Sequence, residues 1–235
     1  MAGNQGRSNA MDYVGWIAVA MMVVGGVVGW FRLAPALTAF GLYAIGGLVA
    51  IVAGVSALVA SARRRGFGPG RAVALLAAMV FIVTAAPGFG PPPINDFTTD
   101  IADPPAFANA ATLPANAGRD MSYPAAFAEI QRDCCADLVS AQVSAAPAQV
   151  FERVRVTAEG MPNWEVTKAD AQSGTVEAVS TTRLFGFQDD VVIRIRPEGT
   201  GSRVDMRSKS RDGRGDQGVN AKRIRAFMEA MRSSS

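Results

Sequence analysis

Three long uncharged apolar runs fill most of the first ninety residues. The first, "YVGWIAVAMMVVGGVVGWF" from Tyr13 to Phe31, is continuous. As a helix it is roughly 28 Å long, close to the hydrocarbon thickness of about 30 Å. The second covers about residues 33–62 and the third about 72–88. Their pattern predicts three transmembrane helices within residues 1–90. A cleaved signal peptide is the rival for the first run, but only Arg7 precedes it and it is followed by no small-x-small cleavage site. A proline-rich stretch, "APGFGPPPINDFTTDIADPPAF", then predicts an extended connector over 91–122, because proline fixes φ and removes a hydrogen-bond donor. Ile94, Phe97 and Phe107 are its apolar positions for packing onto the neighbouring domain.

From Tyr123 onward the periodicity is that of a globular domain, 123–235. "PAAFAEIQRDCC" reads as a short helix or turn and "ADLVSAQV" as a short strand. Ser144 and Pro147 open a helix whose stripe is Val150, Phe151, Val154 and Ala158, with Gly160 as its stop. Four strand-like runs come next: "NWEVTKAD", "GTVEAVSTTR", "DDVVIRIRPE" and "SRVDMRSKS". The turn signals "AQSG" and "PEGTG" join them as hairpins. Val191, Ile193 and Ile195 alternate with Val192, Arg194 and Arg196, and Val204 and Met206 with Arg203, Asp205 and Arg207. A last helix begins near Asp216, with Ile224, Phe227, Met228 and Met231 on one face. The expected fold class is α+β: three N-terminal transmembrane helices, then an antiparallel sheet with two packed helices.

Charge distribution sets the expected topology. Arg63, Arg64, Arg65 and Arg71 lie in the short loop between the second and third runs. Short positive loops stay in the cytoplasm, which places the N-terminus inside and everything after the third span outside. The expected location is a bacterial inner membrane, with a periplasmic C-terminal domain. The spans carry no acid or base, which disfavours a transporter or channel. Gly25 and Gly29, then Gly46, Ala50 and Gly54, form small-residue ridges for packing among the three helices or for dimerisation.

Composition narrows the chemistry. There is no histidine, so Ser-His-Asp and Cys-His systems are excluded. The only cysteines are adjacent, Cys134 and Cys135. They do not make a zinc site; they are either small side chains in a packed segment or a redox-active pair. No catalytic residue, metal or cofactor is expected. Nucleic acid is not an expected partner, because the basic C-terminal part lacks interleaved aromatics and is placed outside the cytoplasm.

Two constellations remain. Arg194, Arg196 and Arg203, with Arg207, share one sheet face, where they either pair with nearby acids or bind an anion. The stretch "RSKSRDGRGDQGVNAKRIR" leads through glycines into a helix N-terminus. Backbone N–H groups there favour anions, while Asp216 is placed to cap the helix instead. Arg207, Ser208, Ser210, Arg211, Asp216, Asn220 and Arg223 are the candidate ligand-binding residues of this stretch. Ser208, Ser210, Asn220 and Arg223 are also suited to a polar network fastening the last helix to the sheet.

This stretch and "INDFTTDIADPPAF" resemble the bacterial and plastid family known as domain of unknown function 1499. The pattern R-S-x-S-R-x-G-x-G-D-x-G-x-N-x-x-R-I at Arg207 to Ile224 carries the resemblance. It implies one domain over about Ile94 to Met231 and supplies no reaction. The expected function is a membrane-anchored extracytoplasmic domain that binds an anionic or amphipathic envelope partner: lipid, polymer or protein. The alternatives are a metal-dependent hydrolase using Asp189, Asp190, Asp205 or Asp216, and an accessory or assembly subunit of a membrane complex.

Overall fold

The computed structural model describes residues 2–85 and 92–233, with residues 2–9 described as backbone only. The chain forms two compact units. The first comprises Met1–Phe89 with Arg183–Gly186, and the second Gly90–Thr182 with Phe187–Ser235.

The first unit is built on helices α1 (Ala2–Trp30), α2 (Ala36–Ala62) and α3 (Pro69–Ala85). Small residues pack between them. Ala18, Ala50, Ala53, Ala57 and Ala74 are fully buried. Large aliphatic residues point outward, including Ile17, Val27, Leu48, Val52, Leu58, Leu76 and Val83. Gly25 and Gly46 belong to these contacts. A Cβ on Gly25 would stand 2.6 Å from the Tyr43 nitrogen, and one on Gly46 2.8 Å from the Ala18 carbonyl oxygen. Gly25 and the Gly46, Ala50 and Gly54 ridge therefore pack helix on helix within the chain, whereas a Cβ on Gly29 would meet the Phe185 ring at 2.8 Å and the Leu184 carbonyl oxygen at 2.9 Å. Asp12 accepts the backbone N–H of Arg71 at 3.0 Å and faces its guanidinium at 3.3 Å. Among the described residues, two helical segments rather than the expected three are long and apolar enough to cross a membrane. They are Ala10–Trp30 and Ala36–Ala62, with mean hydropathies of 1.8 and 2.3. The third helix starts early, at Pro69, and has 17 residues. The last residues of the expected third span, 86–88, lie outside the described residues.

The second unit is α+β. Its antiparallel sheet runs β1 (Asp96–Thr98), β6 (Gly201–Ser210), β5 (Gln188–Glu198), β4 (Thr175–Thr181), β3 (Trp164–Asp170). β2 (Ala141–Val143) also pairs with β6, against Ser202–Val204, while β1 takes Arg207–Lys209. Helix α4 (Ala125–Cys134) precedes β2, α5 (Pro147–Gly160) follows it, and α6 (Val219–Ser233) ends the domain. The hairpin turns place Gly174 and Gly199 at φ +66° and +57°, where a side chain is strained.

The inner sheet face is Val176 and Ala178, Val191, Ile193 and Ile195, and Val204 and Met206, all buried. α5 covers it with Val150, Phe151, Val154 and Ala158, and α6 with Ile224, Phe227, Met228 and Met231. Trp164 stacks on Phe227 with ring centroids 5.6 Å apart. This layer is filled with side chains.

The outer face carries much of the stretch expected as an extended connector, packed on the domain at Phe107. It is covered by residues 99–123, which lie across it as a belt containing two 3₁₀ turns, Ala110–Thr112 and Pro114–Asn116. Phe107 and Ala110 pack on Val192. Glu177 of β4 is 2% exposed and accepts the backbone N–H groups of Ala108 (2.9 Å), Asn109 (2.7 Å) and Ala110 (2.7 Å). The proline-rich sequence therefore contributes a strand and a covering layer.

Candidate functional site

Alternation along β6 and β5 decides which charged groups meet. Arg203, Asp205, Arg207 and Lys209 share the outer face with Asp190, Arg194 and Arg196 of β5, while Ser208, Ser210 and Asp189 face inward. The seven residues of the Arg207–Arg223 stretch are thus divided between two sides of the sheet.

On the outer side, Arg207 is 2% exposed. Its Nε and Nη2 donate to the two oxygens of Asp96 at 2.9 and 2.7 Å, and its guanidinium also donates to the carbonyls of Pro105 and Met121. Phe107 and Tyr123 flank it, 4.8 and 5.6 Å from ring centroid to guanidinium carbon. Lys209 adds a second cation to Asp96 at 3.0 Å. Burial raises the Tyr123 hydroxyl pKa to about 12, and the Asp96 carboxylate acts in the same direction. Arg211 donates to Asp190 at 2.6 Å and to Gln188 at 2.6 Å. Asn116 donates to the same Asp190 from the belt.

A second outer cluster joins Arg194, Arg196 and Arg203 to Asp100, Asp103 and Asp205, three formal charges of each sign. Asp205 is fully buried and receives Arg203 at 2.8 Å, Arg194 and Arg196 at 3.0 Å, and the Ser140 hydroxyl at 2.6 Å. Burial pushes the Asp205 pKa up, but the Ser140, Arg203 and Arg194 hydrogen bonds outweigh it and the net shift is down. Asp100 takes Arg203 at 2.6 Å, and Asp103 takes Arg196 at 2.6 Å. This sheet-face set is internally paired.

On the inner side, Ser208 donates to Asn220 at 2.6 Å, and Asn220 donates to Ser210 at 2.8 Å. Arg223 donates to Ser208, Asn220 and Asp189, the last at 2.6 Å. Asp216 accepts the backbone N–H groups of Gly218 at 2.9 Å and Asn220 at 2.6 Å, capping α6. Burial raises the Asp216 pKa, only partly offset by those two bonds. The polar network that fastens α6 to the sheet is present, and a carboxylate occupies the helix N-terminus.

The four aspartates of the hydrolase alternative do not converge. Asp189 and Asp216 lie on the α6 side; Asp190 and Asp205 lie on the belt side, each held by arginine. Among the described residues no group of three or more His, Cys, Asp or Glu is placed to hold a metal ion.

Sequence reasoning missed Asp96, Asp100, Asn116, Gln131 and Glu177. Gln131 is fully buried and bonds both backbone groups of Thr98, donating to its carbonyl at 2.6 Å and accepting its N–H at 3.0 Å. Only the acids within "INDFTTDIAD" carried a signal, since that stretch shares in the family resemblance.

The family model for Protein of unknown function (DUF1499) matches residues 96–231. The chain belongs to this family. The DUF1499 match begins at the first residue of β1 and ends in α6, so it takes in the belt and both polar networks. No curated protein matches the chain. Among solved structures, the crystal structure of TTHA0849 from Thermus thermophilus is similar over 41% of this chain and 97% of its own. The identity is 12% and the TM-score 0.23.

Proposed function

We propose that the three N-terminal helices anchor the DUF1499 domain in a bacterial inner membrane. The arginine loop faces the cytoplasm and the domain faces the periplasm, where it acts by binding an amphipathic or anionic envelope partner. The observation that carries the anchor is the inverted surface of the helices. Their alanines and glycines are inside and their large aliphatic side chains outside, the arrangement that suits a lipid solvent. A soluble bundle would bury those aliphatic groups.

Binding is favoured over catalysis by the state of the charged groups. The aspartates considered for hydrolysis are held by arginines or cap a helix. The filled inner layer leaves an amphipathic partner the surface of the domain. A groove of about 560 Å³ opens between the belt and α4, lined by Ile101, Pro104, Phe107, Met121, Tyr123 and Ala128 among others. It offers apolar walls beside the paired Arg207, a setting for an amphipathic chain.

The test uses the full chain in detergent with an environment-sensitive fluorescent fatty acid. The wild type enhances its emission, and Ala128→Glu, which puts a charge on the groove wall, weakens binding about tenfold, or ~1.4 kcal/mol. Equal binding by the variant removes the groove, and no binding by the wild type removes a fatty-acid-like partner.

A further inference from the structure

Cys134 and Cys135 form a disulfide between neighbours in sequence, at the C-terminal end of α4. A disulfide stabilises a fold chiefly by closing a loop in the unfolded chain, and the effect grows with the residues enclosed. A sequence separation of 1 encloses none, so this bond is not a staple for the domain. Its placement favours reactivity instead. Cys134 is exposed, while Cys135 is buried in the core beside Leu138 and Ala141. The Cys135 N–H makes the closing hydrogen bond of α4, to the Gln131 carbonyl at 2.9 Å. Gln131 is the residue whose side chain holds both backbone groups of Thr98 in β1 and accepts the Tyr123 hydroxyl at 3.1 Å. The cysteine pair thus ends the turn on which the α4–β1 attachment depends.

We infer that Cys134–Cys135 is a thiol–disulfide exchange site whose redox state sets how firmly α4 holds β1. The co-reactant is an external dithiol, such as that of a small reductant or a dithiol protein. Its thiolate attacks the Sγ of Cys134, the exposed residue of the pair. The Cys134–Cys135 bond breaks, Cys135 leaves as a thiolate and takes up a proton, and a mixed disulfide forms on Cys134. The second thiol of the reductant attacks its own sulfur in that mixed disulfide, releasing the Cys134 thiol and carrying away an intramolecular disulfide. One bond is reduced, one dithiol is oxidised, and two thiols remain on the chain. The reverse exchange with a partner's disulfide closes the pair again. Opening the small ring frees the turn at Cys135 and lets the last turn of α4 fray, loosening Gln131 on Thr98.

The experiment takes full-length protein, quenched with a membrane-permeant alkylating reagent before purification in detergent, and follows it by intact mass and hydrogen exchange. The expected result is no alkylation before dithiothreitol and two adducts after it, one for each cysteine. Exchange at the Cys135 and Thr98 amides rises about tenfold on reduction, as expected when a local opening becomes easier. Cys134→Ser, which keeps the buried Cys135, should exchange like the reduced wild type and ignore dithiothreitol. Two adducts before any reductant would overturn the disulfide. Unchanged Thr98 exchange across the redox change would overturn its link to β1.

Discussion

Arg207 shows how much a single residue's meaning depends on its register. In sequence it is the first cation of a basic, glycine-containing stretch and reads as a ligand contact. In the fold it is buried between two aromatic rings, with both oxygens of Asp96 and two backbone carbonyls as partners. Alternation along β6 was legible and correctly separated Arg207 from Val204 and Met206. Its partner was not, because Asp96 lies 111 residues away and nothing local connects the two. Removing one member of a buried pair leaves the other charge uncompensated. Arg207→Ala is therefore expected to destabilise the domain by about 3–5 kcal/mol, read from urea unfolding. The control is Arg225→Ala. Its pair with Asp137 at 2.5 Å is exposed on both sides, and such pairs contribute about 1 kcal/mol or less. Similar losses for both variants would contradict the distinction between buried and exposed charge.

Among the elements, those with a periodic apolar pattern were legible and those without one were not. Helices α5 and α6 bury the stripes read from their spacing, and β3 to β6 follow the alternating runs and turn signals. Residues 92–122 carried proline rules and three apolar packing positions, Ile94, Phe97 and Phe107, all of which are buried. The proline rules fix an extended chain but say nothing about the surface it lies on. What attaches the belt is Glu177, a residue in the middle of another strand, whose carboxylate gathers three consecutive backbone N–H groups at a 3₁₀ turn. Glu177→Ala leaves those donors without their acceptor. The expected loss is at least about 2 kcal/mol in unfolding free energy. Faster hydrogen exchange should be confined first to the Ala108–Ala110 amides. Unchanged exchange there would mean that the belt is held by Phe107 and its apolar contacts instead. The sheet-face arginines teach the same lesson: Arg194, Arg196 and Arg203 were visible as a row, and the acids that neutralise them were split between β6 and the belt.

For the whole molecule, the sequence announced a lipid-facing front third and a globular remainder, and the DUF1499 match falls on the second of these. The helices carry the physical case for a membrane through what they leave exposed, not through hydropathy alone. The orientation rests on a different kind of argument, the cluster Arg63, Arg64 and Arg65 beside Arg71 in one short loop. Both parts are tested together by paired fusions after Ser235, one to a phosphatase that becomes active only outside the cytosol and one to a fluorescent protein that matures only inside it. The account predicts phosphatase activity in the membrane fraction with a dark fluorescent fusion. A bright fluorescent fusion with an inactive phosphatase would contradict it, and the periplasmic partner would fall with it.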